Sequence, residues 1–244
     1  MKSSDLLRRD YEEAYAREIA REYPEVDAFE SRHGYAVMRA RLECAARVLA
    51  CPVKANPPNW QHGRVLYSLA RKYLETQHDH VLFLDIGTAK GFSAVVMSWA
   101  IADAERSASA RVESVDIVDP EMLVKRNSVI ECDTLYTVYQ FTAPFVAPAT
   151  DVRFYGGGSA NWLGLAARAG RRIGFAFVDG KHTHDAVMFE ALQVAKLQRP
   201  GDVIVFDDMQ IKDLAKAVVN LKGYRREWLH LTGAYRSYGI AIKC

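Results

Sequence analysis

Three aspartates lie where two mostly apolar runs of the sequence end, and their side chains are of the type that binds hard metal ions. Asp179 follows the run 173–178, and Asp207 and Asp208 follow the run 202–206. If the two runs form neighbouring strands of a parallel sheet, their ends lie about 5 Å apart. Carboxylates at that distance repel one another unless a cation lies between them. Because carboxylate oxygens suit Mg²⁺, Mn²⁺ or Ca²⁺ rather than zinc, the pattern predicts such a metal site. Any one of these aspartates taken alone could instead cap a helix or contact a ribose.

A proton acceptor is also available beside these acids. His182 follows Asp179 by three residues, and imidazole titrates near neutrality, so His182 is the preferred general base. Lys181 is the second choice. For His184, which could orient a partner, we favour a position facing solvent.

A second chemical pattern precedes this one, in the stretch 81–94. A continuous apolar run ends in Asp85, Gly87 and Gly91 follow, and a helical pattern begins. The glycines allow a sharp turn and a close approach by a ligand, and the helix start directs free N–H groups at it. The alternative is a plain tight turn between strand and helix. The spacing differs from the G-x-G-x-x-G pattern of dinucleotide-binding proteins, which disfavours an NAD-dependent oxidoreductase.

Two further patterns are typical of nucleoside binding. Asp116 closes the alternating run 111–116, and an acid at that place in a doubly wound fold accepts hydrogen bonds from ribose hydroxyls. Asp119 is a rival, and Asp116 is favoured because it closes the strand. Three glycines ending at Gly158 then precede Ser159, which leaves room for a flat ligand and also allows Ser159 to cap a helix.

The elements that must position these residues alternate between strand and helix patterns. This alternation predicts a doubly wound, mostly parallel α/β sheet of seven strands, Rossmann-like, with helices on both faces. Residues 1–58 are predicted to form an N-terminal helical extension of two helices separated at Pro24, and residues 59–244 the ligand-binding domain. The segment 120–150 is predicted to hold the second helix of the sheet domain and a substrate-side insertion or lid, and its aromatic residues are expected to pack onto the sheet rather than to stack on a ligand. Trp60 and the neighbouring His62 could face the ligand, but a packed helix start is favoured for both.

The order of the motifs resembles class I S-adenosylmethionine (SAM) dependent methyltransferases. The stretch from Asp179 to His182, followed by a Pro-Gly turn and the pair Asp207-Asp208, is similar to metal-dependent O-methyltransferases of the catechol and caffeoyl-CoA types. It is more similar still to macrocin-type sugar O-methyltransferases, which carry Asp-Gly-x-His. The resemblance covers roughly residues 81–206 and does not extend to the N-terminal helices or to the segment 119–150.

The resemblance implies a methyltransferase that uses SAM and a divalent cation, Mg²⁺ or else Mn²⁺ or Ca²⁺, to methylate a hydroxyl of a small molecule such as a sugar, polyketide or catechol. The cofactor-binding residues that it implies are Asp85, Gly87, Thr88, Gly91, Asp116, Gly158, Ser159 and Asp179. In the family the three acids hold the metal, and the Lys or His three residues after the first acid acts as base. A hydroxylase-like metal enzyme on the same scaffold and a non-catalytic SAM- or nucleoside-binding protein are the alternatives, because a fold does not fix a reaction.

The composition of the chain limits its possible partners and its location in the cell. The chain has 244 residues, 50% of them hydrophobic, and a net charge of +2, which implies no nucleic-acid partner. No apolar run is long enough to cross a membrane, and the N-terminus has no signal-peptide pattern. The cysteines, which are Cys44, Cys51, Cys132 and Cys244, are scattered and predict free thiols in a reducing compartment. We therefore expect a soluble cytoplasmic protein with a small-molecule substrate, and the sequence leaves a homodimer open.

Overall fold

Seven strands and nine helices form in the described part of the chain, which is residues 3–50, 58–125 and 135–244 of a computed structural model, with side chains described from residue 9 onward. The helices are α1 (Ser3–Ile19), α2 (Pro24–His33), α3 (Arg39–Leu49), α4 (Gln61–Thr76), α5 (Phe92–Asp103), α6 (Val138–Thr142), α7 (Ser159–Arg168), α8 (His184–Lys196) and α9 (Lys212–Val219). The strands are β1 (Val81–Ile86), β2 (Ala110–Asp116), β3 (Asp151–Gly156), β4 (Phe175–Val178), β5 (Val203–Phe206), β6 (Tyr224–Leu231) and β7 (Arg236–Lys243).

The seven strands form one sheet in the order β3-β2-β1-β4-β5-β7-β6. The first five are parallel, and β7 runs antiparallel to both β5 and β6. This arrangement confirms the predicted doubly wound, mostly parallel sheet. The order reverses between β1 and β4, which is where open α/β sheets bind ligands.

The sheet is the middle of three layers. Every residue of β1, β4 and β5 is buried, because helices cover both faces of a parallel sheet and leave no polar face. On one face of the sheet, here called the first face, side chains that include Phe83 and Phe177 form an apolar cluster with α1–α5. The other joins the second face to α7, α8 and α9 and includes Leu84 and Phe206. The core therefore holds the strand ends rigidly from both sides.

The register of the parallel strands aligns the predicted site residues along one edge. Hydrogen bonds continue the ladders just past the strand ends, with N–H donors on Gly87, Asp179 and Asp207 to carbonyl oxygens of the neighbouring strands at 2.9, 2.9 and 3.2 Å. On the other side of β1, Asp116 pairs with Gly156 at the end of β3. Residues far apart in the sequence therefore meet at the carboxyl edge of the sheet.

The described part of the N-terminal segment contains three helices rather than the two that the sequence predicts. Pro24 begins α2, as predicted, because its fixed φ suits the first helical turn. Gly34 then ends α2 with a left-handed φ of 81°, a conformation that glycine adopts without steric cost. Residues of these helices, among them Phe29 and Leu42, belong to the same apolar cluster as the first face of the sheet.

The segment 120–150 is less helical than predicted in its described part. Its only helix there is the five-residue α6, which begins with a capping box between Thr137 and Gln140. Phe141 is buried, and Trp99 Nε1 on α5 donates a hydrogen bond to the carbonyl oxygen of Phe145 at 2.6 Å. These contacts hold the second half of the segment against the core. Residues 126–134 lie outside the described residues, and the predicted lid is not tested.

Two of the four cysteines lie in the described part of the chain. Cys44 and Cys244 are exposed and free, as the sequence predicts. Cys51 and Cys132 lie outside the described residues. None of the described helices has the length and apolar character that a membrane span requires.

We expect the tight crossing of the β1 and β4 ends to make Gly87 irreplaceable. Gly87 has a φ of 99°, and a Cβ there would lie 2.1 Å from the carbonyl oxygen of Asp179. Gly87→Ala should lower the free energy of unfolding by more than about 1 kcal/mol, because both the backbone angle and the space are incompatible with a side chain. Urea unfolding followed by circular dichroism measures this.

Gly164 on α7 is the matched control, because it is exposed and a Cβ there would have no neighbour within 4 Å. Gly164→Ala should stabilise the protein by about 0.5–1 kcal/mol, as alanine does in a helix. Equal stability of the two variants would contradict the close crossing.

Candidate active site

A cavity of about 710 Å³ opens at the carboxyl edge of the sheet. Its volume is in the range of small-molecule and cofactor sites. The predicted site residues that line it are Gly87, Asp116, Gly158, Ser159, Asp179, Lys181 and His182. Asp85, Thr88, Gly91, Asp207 and Asp208 are not among its lining residues. One wall is therefore built from the ends of β1, β2 and β3, and the other from the end of β4 and from α8.

The acid of the glycine loop lies beneath the loop. Asp85 is fully buried, and its two carboxylate oxygens accept hydrogen bonds from Ser93 and Ser114 at 2.8 and 2.6 Å. Burial raises the pKa of Asp85 to about 7, against these hydrogen bonds. Thr88 is also buried and shares a hydrogen bond of 2.6 Å with Ser114. Through these hydrogen bonds, Asp85 and Thr88 hold the loop that carries Gly87 in place.

The second glycine of the loop begins α5. Gly91 has a left-handed φ of 87°, and a Cβ there would meet the Thr142 side chain at 2.4 Å. The loop is therefore pressed against α6, and Gly91 allows that close approach.

Asp116 lies on the cavity wall, and its rival Asp119 does not. The carboxylate of Asp116 accepts hydrogen bonds from the backbone N–H groups of Ala89 and Val118 at 2.9 and 3.0 Å. Asp119 instead accepts from the N–H of Glu121 at 2.9 Å. Two backbone donors hold the Asp116 carboxylate at the cavity and leave it further lone pairs for a ligand.

The glycine-rich turn after β3 leads directly into α7. Gly158 is the N-cap residue of α7, and no side chain caps that helix end. Ser159 Oγ instead donates a hydrogen bond of 2.6 Å to Glu190 on α8. The amino end of α7 therefore has no side-chain cap, and its residues Gly158 and Ser159 line the cavity.

The three predicted acids converge as the register requires. Asp179 and Asp207 each follow the last paired residue of neighbouring strands β4 and β5. Burial, followed by the charge of the Asp179 carboxylate, raises the pKa of Asp207 to about 7, while Arg236 opposes both effects. Burial also raises the pKa of Asp179, against hydrogen bonding from His182.

Asp208 joins the cluster because the backbone turns sharply at this residue. Successive side chains of a strand point to opposite faces, so an extended chain would direct Asp207 and Asp208 apart. Asp208 instead has a φ of 58°, in the left-handed region, and its N–H donates to Asp207 Oδ1 at 2.7 Å. Such a conformation is uncommon outside glycine and is concentrated at functional sites.

Arg236 compensates part of this negative charge. Its guanidinium binds both carboxylate oxygens of Asp207 and lies 3.1 Å from Asp208 Oδ1. Because β7 is antiparallel to β5, the first residue of β7 lies beside the carboxyl end of β5. Asp207 was predicted as a metal ligand together with Asp179 and Asp208, and the structure places both of its oxygens on Arg236.

His182 lies between the other two acids. Its Nε2 is 3.3 Å from Asp179 Oδ1 and 3.2 Å from Asp208 Oδ2. Hydrogen bonding to Asp179, followed by the charge of Asp208, raises the pKa of His182. One ligand atom from each of these three residues lies within 4.8 Å of the others, which is an arrangement that fits a metal ion. His184 pairs with the exposed Asp185 at 2.9 Å, on the solvent side as favoured from the sequence.

The two aromatic residues at the start of α4 pack against the core. Trp60 is buried and packs on Tyr15 with ring centroids 5.1 Å apart. The ring of His62 is stacked on Phe177, with an interplanar angle of 4°. Burial lowers the pKa of His62 to about 3, so this imidazole is neutral at physiological pH. Neither residue lines the cavity.

Comparison with known proteins agrees with this geometry. A family model described as a methyltransferase domain matches residues 84–209, just over half of the chain. The chain belongs to this methyltransferase-domain family. The match begins inside β1 and ends just after Asp208, so it contains both the glycine loop and the acid cluster. No curated protein sequence matches the chain.

Two solved structures with the methyltransferase fold are similar to it. The O-methyltransferase from Bacillus cereus in complex with S-adenosylhomocysteine (SAH) is 16% identical, with a TM-score of 0.57 over 84% of this chain and 91% of that one. The O-methyltransferase TomG from Streptomyces achromogenes, involved in tomaymycin synthesis and solved with SAM, is 19% identical, with a TM-score of 0.55 over 85% of this chain and 91% of that one. At these identities the likeness establishes the shared fold.

Several residues of the methyltransferase site were missed by the sequence analysis. Arg236 left no signal in the sequence, because only the antiparallel register of β7 beside β5 brings it to Asp207. Ile117 and Phe189 line the cavity with exposed apolar side chains. Ile117 directly follows Asp116, whereas Phe189 and Glu190 lie on a helix whose orientation the sequence does not give.

We expect the Arg236–Asp207 ion pair to be required for the folded state. Arg236→Met would leave a fully buried carboxylate without its partner, and removal of one member of a buried pair costs about 3–5 kcal/mol. The double variant Arg236→Met/Asp207→Asn removes the charge as well and should recover most of that loss. Urea unfolding at pH 8, above the pKa of Asp207, measures both. A single variant as stable as the double variant would contradict the pairing.

Proposed function

We propose that the chain transfers the methyl group of SAM to a hydroxyl oxygen of a small molecule, with His182 as base and a divalent cation at Asp179 and Asp208. The observation that carries this proposal is that one cavity is lined both by Asp116, with its nucleoside-binding pattern, and by Asp179 and His182. SAH and SAM in the two similar O-methyltransferases support the cofactor and the reaction.

In this proposal the cofactor lies across the ends of β1, β2 and β3. Asp116 accepts hydrogen bonds from the ribose hydroxyls, because its carboxylate is held at the wall by backbone donors. Gly87 lines the cavity, so the methionine portion would lie against its loop, and the adenine would lie near Gly158 and Ser159. When bound there, the cofactor would supply its methyl group to an acceptor held beside Asp179 and His182.

The donor set fits a divalent cation. Asp179 and Asp208 supply carboxylate oxygens, and His182 is close enough to serve as a third ligand or to remain a base. If the three aspartates are ionised, they and Arg236 together carry a net charge of −2, which one divalent cation would neutralise. When bound, the ion would lower the pKa of the acceptor hydroxyl. Arg236 holds both oxygens of Asp207, and Asp207 in turn accepts a hydrogen bond from the backbone N–H of Asp208. Asp207 therefore positions Asp208 and does not itself bind the ion in this proposal.

His182 removes the proton of the acceptor. Its Nε2 lies against Asp179 and Asp208, and both carboxylates stabilise the imidazolium that forms when the proton is taken up. The resulting alkoxide would attack the methyl carbon in line while the bond from that carbon to the sulfonium sulfur breaks, so that SAH leaves, and positioning in the cavity would supply much of the rate. Lys181 lines the same cavity and is the second choice as base.

Substitutions of the two rival acids, Asp116 and Asp119, test whether the cofactor binds at this site. We expect Asp116→Ala to weaken SAM binding about tenfold or more, because a hydrogen bond to a charged group is worth roughly 1.5–3 kcal/mol. Asp119→Ala is the matched control and should bind SAM like the unaltered protein. Isothermal titration calorimetry measures both. Equal affinity for the two variants would remove Asp116 from the site.

The reaction is tested by offering methyl-labelled SAM with a panel of sugars, polyketides and catechols. We expect label on a hydroxyl oxygen, loss of transfer in EDTA and its return with Mg²⁺ or Mn²⁺. His182→Ala should slow transfer by about 10²–10⁴-fold, the usual contribution of a positioned base. His184→Ala, in the same loop but paired with Asp185 at the surface, should have little effect.

The effect of EDTA, the two histidine variants and the atom that carries the label test the metal, the base and the acceptor separately. Transfer that survives EDTA would show a metal-free methyltransferase in which Arg236 and His182 alone compensate the acids. Equal losses in the two histidine variants would show that His182 is not the base. Label on nitrogen or carbon would show a different acceptor class.

A further inference from the structure

A second cavity, of about 390 Å³, lies at the edge of the sheet opposite the candidate active site. It is formed where β1, β2 and β3 begin, together with the turn that leads into β2. No residue lines both cavities. The six residues of β1 separate the two edges of the sheet, which corresponds to about 20 Å in a parallel strand. A ligand in the second cavity would therefore occupy a site of its own.

Three arginines line this second cavity, and buried carboxylates fix their positions. Arg111 Nε and Arg171 Nη1 each donate to one carboxylate oxygen of Glu113 at 2.8 Å. Arg172 donates through Nε and Nη2 to Asp202 at 3.1 and 2.6 Å. Glu113 and Asp202 are both fully buried. Because a guanidinium has five N–H donors, these ion pairs orient the arginines and leave donors for a ligand.

The arginines at Glu113 carry a surplus of positive charge. Two guanidinium groups share one carboxylate, so Arg111, Glu113 and Arg171 together have a net charge of +1. The side chains of Arg111 and Arg171 are 39% and 38% exposed, so a ligand can reach them. Asp151, the acidic residue of the lining, is already compensated, because Arg153 donates to both of its oxygens at 3.0 and 2.7 Å. The cavity therefore favours an anion.

The turn before β2 adds backbone donors to the same cavity. The N–H groups of Ser109 and Ala110 donate to the carbonyl oxygen of Arg106 at 2.9 and 2.8 Å, which closes the turn. The N–H groups of Ser107 and Ala108 have no hydrogen-bond partner among the described residues, and both residues line the cavity. Guanidinium and backbone N–H groups are the donors that bind oxyanions most strongly.

We propose that this cavity binds the phosphate monoester group of a small molecule, with Arg111 and Arg171 as its guanidinium contacts. A phosphate monoester carries nearly two negative charges at neutral pH, and the planar fork of arginine matches two of its oxygens. The volume is in the range of small-molecule sites, and Val81 and Leu82 give part of the lining an apolar character. The net charge of the chain, +2, gives no reason to expect a long polyanion instead. This inference is independent of the proposed methyl transfer.

Isothermal titration calorimetry at low ionic strength with ribose 5-phosphate, and with ribose as the uncharged control, tests this site. We expect ribose 5-phosphate to bind and ribose not to bind. Arg171→Gln should weaken binding about tenfold or more, because it removes a charge-assisted hydrogen bond. Arg168→Gln is the matched control, since it removes the same charge from an exposed position outside the cavity, and it should leave the affinity unchanged.

Ala108→Glu is the second variant, because Arg171→Gln also takes one of two partners from Glu113. Ala108 is exposed and lines the cavity, so an acidic side chain there repels the phosphate without breaking an ion pair. This variant should therefore keep its stability in urea and also lose affinity for ribose 5-phosphate.

Four results would overturn the proposal. The first is no binding of ribose 5-phosphate. The second is an equal loss in Arg168→Gln and Arg171→Gln, which would show an adventitious ion only. The third is displacement of ribose 5-phosphate by SAH, which would place it in the other cavity. The fourth is tighter binding of a single-stranded RNA without terminal phosphates, which would show a phosphodiester backbone as the occupant.

Discussion

Repulsion among three carboxylates at the ends of β4 and β5 is the constraint on which the candidate site depends. Asp179, Asp207 and Asp208 are brought together by the pairing of two short buried strands, and a buried charge is stable only with a partner. Arg236 binds both oxygens of Asp207. His182 contacts the other two acids. The left-handed backbone of Asp208 brings its carboxylate to His182, and the antiparallel course of β7 brings Arg236 to Asp207, so both features help to balance the negative charge.

The same edge of the sheet explains how cofactor and acid chemistry meet. Gly87 lies against the backbone of Asp179, so the loop after β1 and the end of β4 are in direct contact. Asp116 lies one strand further along the sheet on the other side of β1. A ligand that reaches from Asp116 past Gly87 therefore arrives beside His182. Buried strands fixed between two helical layers give this edge its rigidity.

Much of this arrangement could be predicted from the sequence, because buried parallel strands appear as apolar runs that end in polar residues. The acids after β4 and β5 lie together, as predicted, because those strands are neighbours. The break at Gly34 was missed because a single glycine is a weak signal within a helical pattern. Arg236 and Glu190 were missed for another reason, since each meets its partner only through tertiary register. The pairing of Asp207 with Arg236 likewise follows from that register and not from the acid motif itself.

The central claim is that one cavity holds a SAM-type cofactor beside a cation bound by Asp179 and Asp208. Crystals grown with SAH and Mn²⁺ test it most directly, by anomalous diffraction at the manganese edge. The account predicts SAH along Gly87, Asp116 and Ser159, with one manganese peak at about 2.0–2.6 Å from oxygens of Asp179 and Asp208. SAH bound elsewhere, or a fully occupied SAH site with no manganese peak beside His182, would contradict it.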